Sequence, residues 1–189
     1  MRCALLLAAA FLLASPVRAE VKDGTWMAGV GAGMGSGGKG LGAPYVVGGQ
    51  LLYHPTGAWG YGVQADRFDF KAKAGNKADM TGVLGVVRGN VNMSIGTSEM
   101  FPYLLFGMGY AMSRADIAAG GDSKGSGFAW CLGGGVEYPV GAGFSVGGEL
   151  KMERLGSGIP RLGMTGVTAI AALLRLNHWF GQSEDPFAR

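Results

Sequence analysis

The chain has 189 residues, a formal net charge of +3, 37 glycines, two cysteines and two histidines. A balance this close to neutral, with no basic patch interleaved with aromatics, argues against a polyanion-binding surface, so no nucleic-acid partner is expected. The length suits one domain rather than two. Mean hydropathy is positive, yet past the N-terminal segment no apolar run reaches the roughly 20 residues a membrane helix needs. The best candidate, 167–174, stops at Arg175.

Residues 1–19 read as a signal peptide. Arg2 supplies a positive start, 3–14 are almost unbroken apolar residues, and Val17-Arg18-Ala19 place small residues where a signal peptidase reads, so cleavage is expected before Glu20. Cys3 precedes the apolar run, which argues against a lipoprotein, and Arg2 and Arg18 leave with the segment. Cys131 is then the one remaining thiol and is expected to be a small buried filler.

From there the hydrophobic period is 2 rather than 3.6, which specifies strands. In the first segment Trp26, Ala28, Val30, Ala32 and Met34 share a face opposite Gly29, Gly31, Gly33 and Gly35. A second strand spans 44–54 with Tyr45, Val47, Leu51 and Tyr53 outward. A third, 59–70, sets Trp59, Tyr61, Val63 and Ala65 against Gly60, Gly62, Gln64 and Asp66. The fourth, 80–95, separates Val83, Val87, Val91, Met93 and Ile95 from Arg88, Asn90, Asn92 and Ser94, a division no helix could make. The fifth, 101–113, points Leu104, Phe106, Met108, Tyr110 and Met112 outward, leaving Tyr103 and Leu105 inside. The sixth, 128–140, turns Cys131, Gly133, Gly135 and Glu137 inward; the seventh, 144–155, does so with Glu149, Lys151 and Glu153. The eighth, 165–180, does so with Arg175 and Asn177.

Glycine scattered through apolar stretches, which would cost a helix about 1 kcal/mol each, suits a strand whose every second residue meets lipid. The predicted fold is therefore all-β, an eight-stranded antiparallel up-and-down transmembrane β-barrel over residues 20–180, followed by a short periplasmic tail, 181–189. Connections after even strands are tight, and those after odd strands are longer, with 114–126 the longest. Short periplasmic turns and longer outer loops are usual for such barrels. With the N-terminus periplasmic, Trp26, Tyr53, Trp59, Tyr61, Phe101, Tyr138, Phe144, Trp179 and Phe180 fall near the periplasmic interface. Tyr45, Phe70, Phe128 and Trp130 fall near the outer one, giving two aromatic belts.

Pro102-Tyr103 followed by Gly107-Met108-Gly109-Tyr110, then Gly133-Gly134-Gly135-Val136-Glu137-Tyr138, then a last strand ending His178-Trp179-Phe180, occur in order along the chain. In these motifs it resembles the small outer-membrane barrels of the OmpA-, OmpX- and opacity-protein-like group, over residues 24–180. The resemblance implies an outer-membrane location, contact with outer-membrane lipid and lipopolysaccharide, and insertion by the barrel-assembly machinery. His178 stands where such barrels often carry an aromatic, and 181–189 is too short for the peptidoglycan-binding domain some relatives carry.

The inward charges Asp66, Arg88, Glu137, Glu149, Lys151, Glu153 and Arg175 form the candidate site, a lumen charge network. Eight strands leave an interior just wide enough for side chains, so these charges are expected to neutralise one another and plug the lumen. Counting from the periplasmic ends puts Asp66 and Arg88 at one height, and they are expected to pair, with Glu149 across the lumen. Neither His54, beside a turn, nor His178, on the lipid-facing parity, sits where a catalytic base would act, and no metal-ligand spacing occurs. No catalytic residue, cofactor or metal is therefore expected, and the leading reading is a structural, envelope-integrity or surface-interaction protein. A narrow channel or carrier for small hydrophobic molecules or ions is the alternative, an outer-membrane lipid-modifying enzyme the third. The extracellular partner stays open.

Overall fold

The computed structural model describes residues 21–36, 41–72, 77–91, 93–95, 98–116, 121–159 and 165–181. The signal segment 1–19 and the tail beyond Gly181 lie outside the described residues. The strands are β1 (Thr25–Ser36), β2 (Leu41–Thr56), β3 (Trp59–Ala72), β4 (Lys77–Asn90), β5 (Met93–Ile95), β6 (Ser98–Asp116), β7 (Asp122–Gly141), β8 (Phe144–Leu155) and β9 (Val167–Gly181). Each is antiparallel to its neighbours in the order β4-β3-β2-β1-β9-β8-β7-β6-β5, and a further β4–β6 ladder closes the sheet. The β4 ladder ends with Asn90 opposite Tyr103, and β5 resumes it in the same register with Met93 opposite Met100. β4 and β5 are thus one interrupted strand, and the barrel has eight. Closure matters because lipid offers no partner to an open sheet edge.

Alternation along the strands fixes what the wall shows each side. Val30, Met34, Val63, Val83, Leu104, Met108, Leu132, Leu150 and Leu174 are exposed, while Met27, Leu52, Phe68, Met80, Leu84, Leu105 and Leu155 are fully buried. The apolar outer face is what a water-soluble plan lacks, and it suits lipid outside and side chains inside.

Two sequence expectations need correction, the membership of the aromatic belts and the loop at 114–126. Phe70, Phe101 and Trp179, placed in the lipid-facing belts, are 3 %, 1 % and 1 % exposed and point inward. Each follows the parity of its own strand, Phe101 with Tyr103 and Trp179 with Arg175 and Asn177. Trp26, Trp59, Tyr61, Phe144 and Phe180, and on the outer side Tyr45 and Phe128, do lie exposed on the wall. Nor is 114–126 a long loop. Arg114 faces Lys124 and Asp116 faces Asp122, so the ladder continues well past the apolar band. At about 3.3 Å per residue, the 20-residue β7 exceeds the roughly 9–11 residues needed to cross a bilayer, and its polar end is strand beyond lipid. The longest connection instead follows β8. Its first residues run on along β7, where Gly156 donates its N–H to the Phe128 carbonyl, and Ser113 Oγ donates to the Gly158 carbonyl, 2.8 Å away. The β7–β8 turn at the periplasmic end is tight, with Gly141, Ala142 and Gly143 all at positive φ.

Candidate functional site: the lumen charge network

The lumen is layered. Its outer half is mainly apolar, filled by Val46, Phe68, Phe70, Met80, Leu155, Ile159 and Val167 among others, with Ser113, Ser123 and Ser157 buried among them. Met27, Leu52, Phe101 and Trp179 form much of the periplasmic floor. Between them the seven candidate side chains are all buried, at most 3 % exposed.

Two groups of ions form. In the periplasmic group, Arg88 Nη1 donates to Glu137 Oε1 at 2.6 Å and Arg88 Nε to Asn90 Oδ1 at 2.7 Å. Glu137 also accepts from Asn177 Nδ2 at 2.8 Å and from Ser145 Oγ at 2.9 Å, and Trp179 Nε1 donates to that serine at 3.0 Å. Gln50 extends the chain by donating to Asn177 Oδ1 at 3.1 Å. In the outer group, Lys151 Nζ donates to Asp66 Oδ2 at 2.5 Å and stands 3.1 Å from Glu153 Oε2. Arg175 grips Glu149 with two parallel hydrogen bonds of 2.8 and 2.7 Å, the strong bidentate arrangement of guanidinium and carboxylate. Its Nη2 also lies 4.0 Å from Asp66 Oδ1. Glu153 is the loosest member, since its oxygens are not aligned for a hydrogen bond with the nearby ammonium.

Tyr103 joins the groups. Its hydroxyl donates to Glu149 at 2.8 Å, and the Arg88 guanidinium lies over its ring, 3.7 Å from the centroid. Sequence reading placed Tyr103 inside but gave it no role. Asn90 and Asn177 were legible as inward polar residues, and Gln64, which donates to Asp66, shares that parity. Ser145 carried no signal beyond its position two residues after the turn.

The expected Asp66–Arg88 pair does not exist. Asp66 faces Gly82 and Arg88 faces Gly60 across the same ladder, so they stand at different heights. The outer connection between β3 and β4 sets that register, whereas aligning periplasmic ends ignores the stagger closure imposes. Asp66 pairs with Lys151, Arg88 with Glu137, and Glu149 with Arg175. Glycine makes room for these ions. A Cβ on Gly82 would meet Glu153 Oε1, and one on Gly48 would meet Asp66 Oδ1.

The histidines stand apart from the charged pairs. The His54 ring packs 4.8 Å from Trp179, with Nδ1 3.3 Å from Asn90 Nδ2, and His178 faces outward between Phe144 and Phe180. Among the described residues no group of three or more His, Cys, Asp or Glu is placed to hold a metal ion. A hollow of about 740 Å³ bordered by Met34, Val136, Leu150 and Leu174 opens on the lipid-facing wall. Chemically, the interior is a set of three ion pairs with a fourth carboxylate, Glu153, beside Lys151, and it fills the middle of the barrel.

No curated protein is significantly similar to the chain in sequence. Among solved structures, neisserial surface protein A (NspA) has the same fold with a TM-score of 0.66 at 13% identity, over 82% of this chain and 96% of that one. Ail, the attachment invasion locus protein of Yersinia pestis, aligns with a TM-score of 0.56 at 13% identity, over 84% and 99% of the two chains. The N-terminal β-barrel domain of Pseudomonas aeruginosa OprF gives 0.56 at 12% identity, over 84% and 98%. The family model described as outer membrane protein beta-barrel domain matches residues 4–157. The chain belongs to that outer-membrane β-barrel family.

Proposed function

We propose that the chain is exported by residues 1–19, cleaved before Glu20, inserted by the barrel-assembly machinery, and serves in the outer membrane as a closed structural and surface-interaction barrel embedded in lipid and lipopolysaccharide. The observation that carries this reading is the filled lumen. Arg88, Glu137, Asp66, Lys151, Glu149 and Arg175 are ion-paired at no more than 3 % exposure, between an apolar outer layer and an aromatic floor. A conducting path would need charged groups that water reaches, and here the ions face one another. The work of such a barrel then falls to its wall and its outer rim.

Planar-bilayer recording on refolded protein tests this. Wild type should give no steady conductance, and trimming Arg88 and Glu149 together to Ala, one on either side of Tyr103, should open a leak. Reproducible ion-selective openings from wild type would overturn the closed-barrel reading.

A further inference from the structure

Residues 21–24 precede β1 and lie outside the sheet, yet they are firmly seated. Val21 is 3 % exposed and belongs to the buried apolar set. The chain turns at Gly24, at a positive φ of 76°, where the Gly24 N–H donates to the His54 carbonyl at 2.8 Å. Thr25 Oγ1 donates back to the Lys22 carbonyl at 2.9 Å. Asp23 Oδ1 accepts the Gly57 N–H at 2.8 Å, which ties the segment to the β2–β3 turn at the periplasmic end.

Gly57 shows that this seat is built into the fold. Its φ is not in the left-handed region, so its backbone conformation makes no demand for glycine. Space makes the demand instead, because a Cβ there would run into the Val21 carbonyl. The same glycine reaches the lumen network through its own carbonyl, which accepts from Asn90 Nδ2 at 3.0 Å. The next carbonyl, of Ala58, accepts the Asn90 N–H at 2.7 Å. Asn90 is the last residue of β4, and the β3–β4 ladder stops one residue earlier, at Gly89. On that side the turn therefore holds Asn90 in place. Asn90 in turn accepts from Arg88 Nε at 2.7 Å, and Arg88 pairs with Glu137.

A hydrogen-bonded path thus runs from Asp23 through Gly57, Asn90 and Arg88 to Glu137, from an exposed carboxylate to a fully buried ion pair. The strands along this path are fixed by ladders over their whole length. Residues 21–24 are fixed by one small apolar side chain and by bonds at a turn, and segments held in that way open first.

We propose that residues 21–24 are a periplasmic strap that locks the lumen network. Seated, the strap fixes the β2–β3 turn, and through it Asn90 and Arg88; lifted, it frees Arg88 while the barrel stays closed as a sheet. This rests on the closed-barrel reading with the N-terminus periplasmic. The strap gives the plug a handle on that side of the membrane, so that drawing the chain before β1 away from the wall loosens the buried ions.

The test follows the Arg88 Nε proton by NMR in lipid nanodiscs, its signal identified by its loss in Arg88→Lys. In wild type this proton should exchange slowly with water. Gly57→Ala displaces the strap from the turn side, and Val21→Gly with Asp23→Ala removes the strap's own anchors; each should speed the exchange about tenfold. Combining all three changes should add little further, since both sides act on one event. Asp23→Asn, which keeps an acceptor oxygen, should match wild type, as should Gly148→Ala, at a glycine with open space around it. Should Gly57→Ala fail to fold, the strap-side pair decides alone. A protected proton that neither side exposes would overturn the strap. Faster exchange from Gly57→Ala but not from the strap-side pair would assign the effect to the turn and overturn it equally. A wild-type proton that exchanges freely would instead overturn the closed barrel, and the strap with it.

Discussion

Glu137→Gln isolates the most demanding interaction in the lumen. The substitution keeps shape and removes charge, leaving the Arg88 guanidinium, 0 % exposed, without the carboxylate now 2.6 Å away. Loss of one partner of a buried ion pair costs about 3–5 kcal/mol. The upper part of that range is expected, because Glu137 also accepts hydrogen bonds from Asn177 and Ser145, and an amide offers one acceptor oxygen where the carboxylate offers two. Asp122→Asn, which breaks the exposed Arg114 pair at 3.4 Å, should cost less than about 1 kcal/mol. Urea unfolding in vesicles, followed by tryptophan fluorescence and checked by heat-dependent gel migration, gives both numbers. A cycle of Glu137→Gln with Arg88→Met should show coupling well above 1 kcal/mol, whereas Asp66→Asn with Arg88→Met should add within about 0.5 kcal/mol, since Asp66 answers to Lys151. If Glu137→Gln costs under about 1 kcal/mol, water reaches the pair and the plug is not what the geometry implies.

Two further outcomes follow from packing. Cys131 is 0 % exposed inside the barrel, so a maleimide should leave it unlabelled in folded protein and label it in urea, and rapid labelling of the folded state would place it at a solvent path. Gly60→Ala should destabilise by about 1–3 kcal/mol, because the added methyl runs into the buried His54 ring; an unchanged urea midpoint would mean the ring is free to move aside.

Parity was legible because one side of each strand meets lipid and the other meets its own interior, and that alternation puts all seven network residues on the inward face. Parity, and not residue type, decides which way an aromatic near the interface points. Phe101 and Trp179 share their strands' inward sets, and an aromatic near a bilayer interface need not face it. Register was not legible, because it depends on the lengths of the outer connections and on the stagger of closure, neither of which hydrophobic pattern encodes. Hence Asp66 and Arg88 share the inward face, as parity requires, yet take Lys151 and Glu137 as partners instead of each other. The polar stretch 114–126 read as a loop for a related reason. Where a strand leaves lipid its composition changes although its hydrogen bonding does not, and Ala115 still faces Ser123.

The way the pairs cross the lumen bears on how one register is selected. A slip of one residue turns every apolar side chain to the wrong face and is strongly penalised. A slip of two keeps every face and, in an alternating wall rich in glycine and alanine, costs the lipid contact little. Such a slip moves a side chain by about 7 Å along its strand, far beyond any pairing distance. Arg88 to Glu137 joins β4 to β7, Asp66 to Lys151 joins β3 to β8, and Gln50 to Asn177 joins β2 to β9. Tyr103 of β6 adds a further crossing to Glu149 of β8. A two-residue slip of β3, β4 or β8 against its neighbours therefore strands at least one buried charge, at the several kcal/mol that an unpaired ion costs. The outer layer, with Phe68, Met80 and Leu155 fully buried, would also lose packing in such a slip, but it would strand no charge. The polar layer thus adds its own penalty to that of packing, and the ion pairs help hold the barrel to one alignment while they close it.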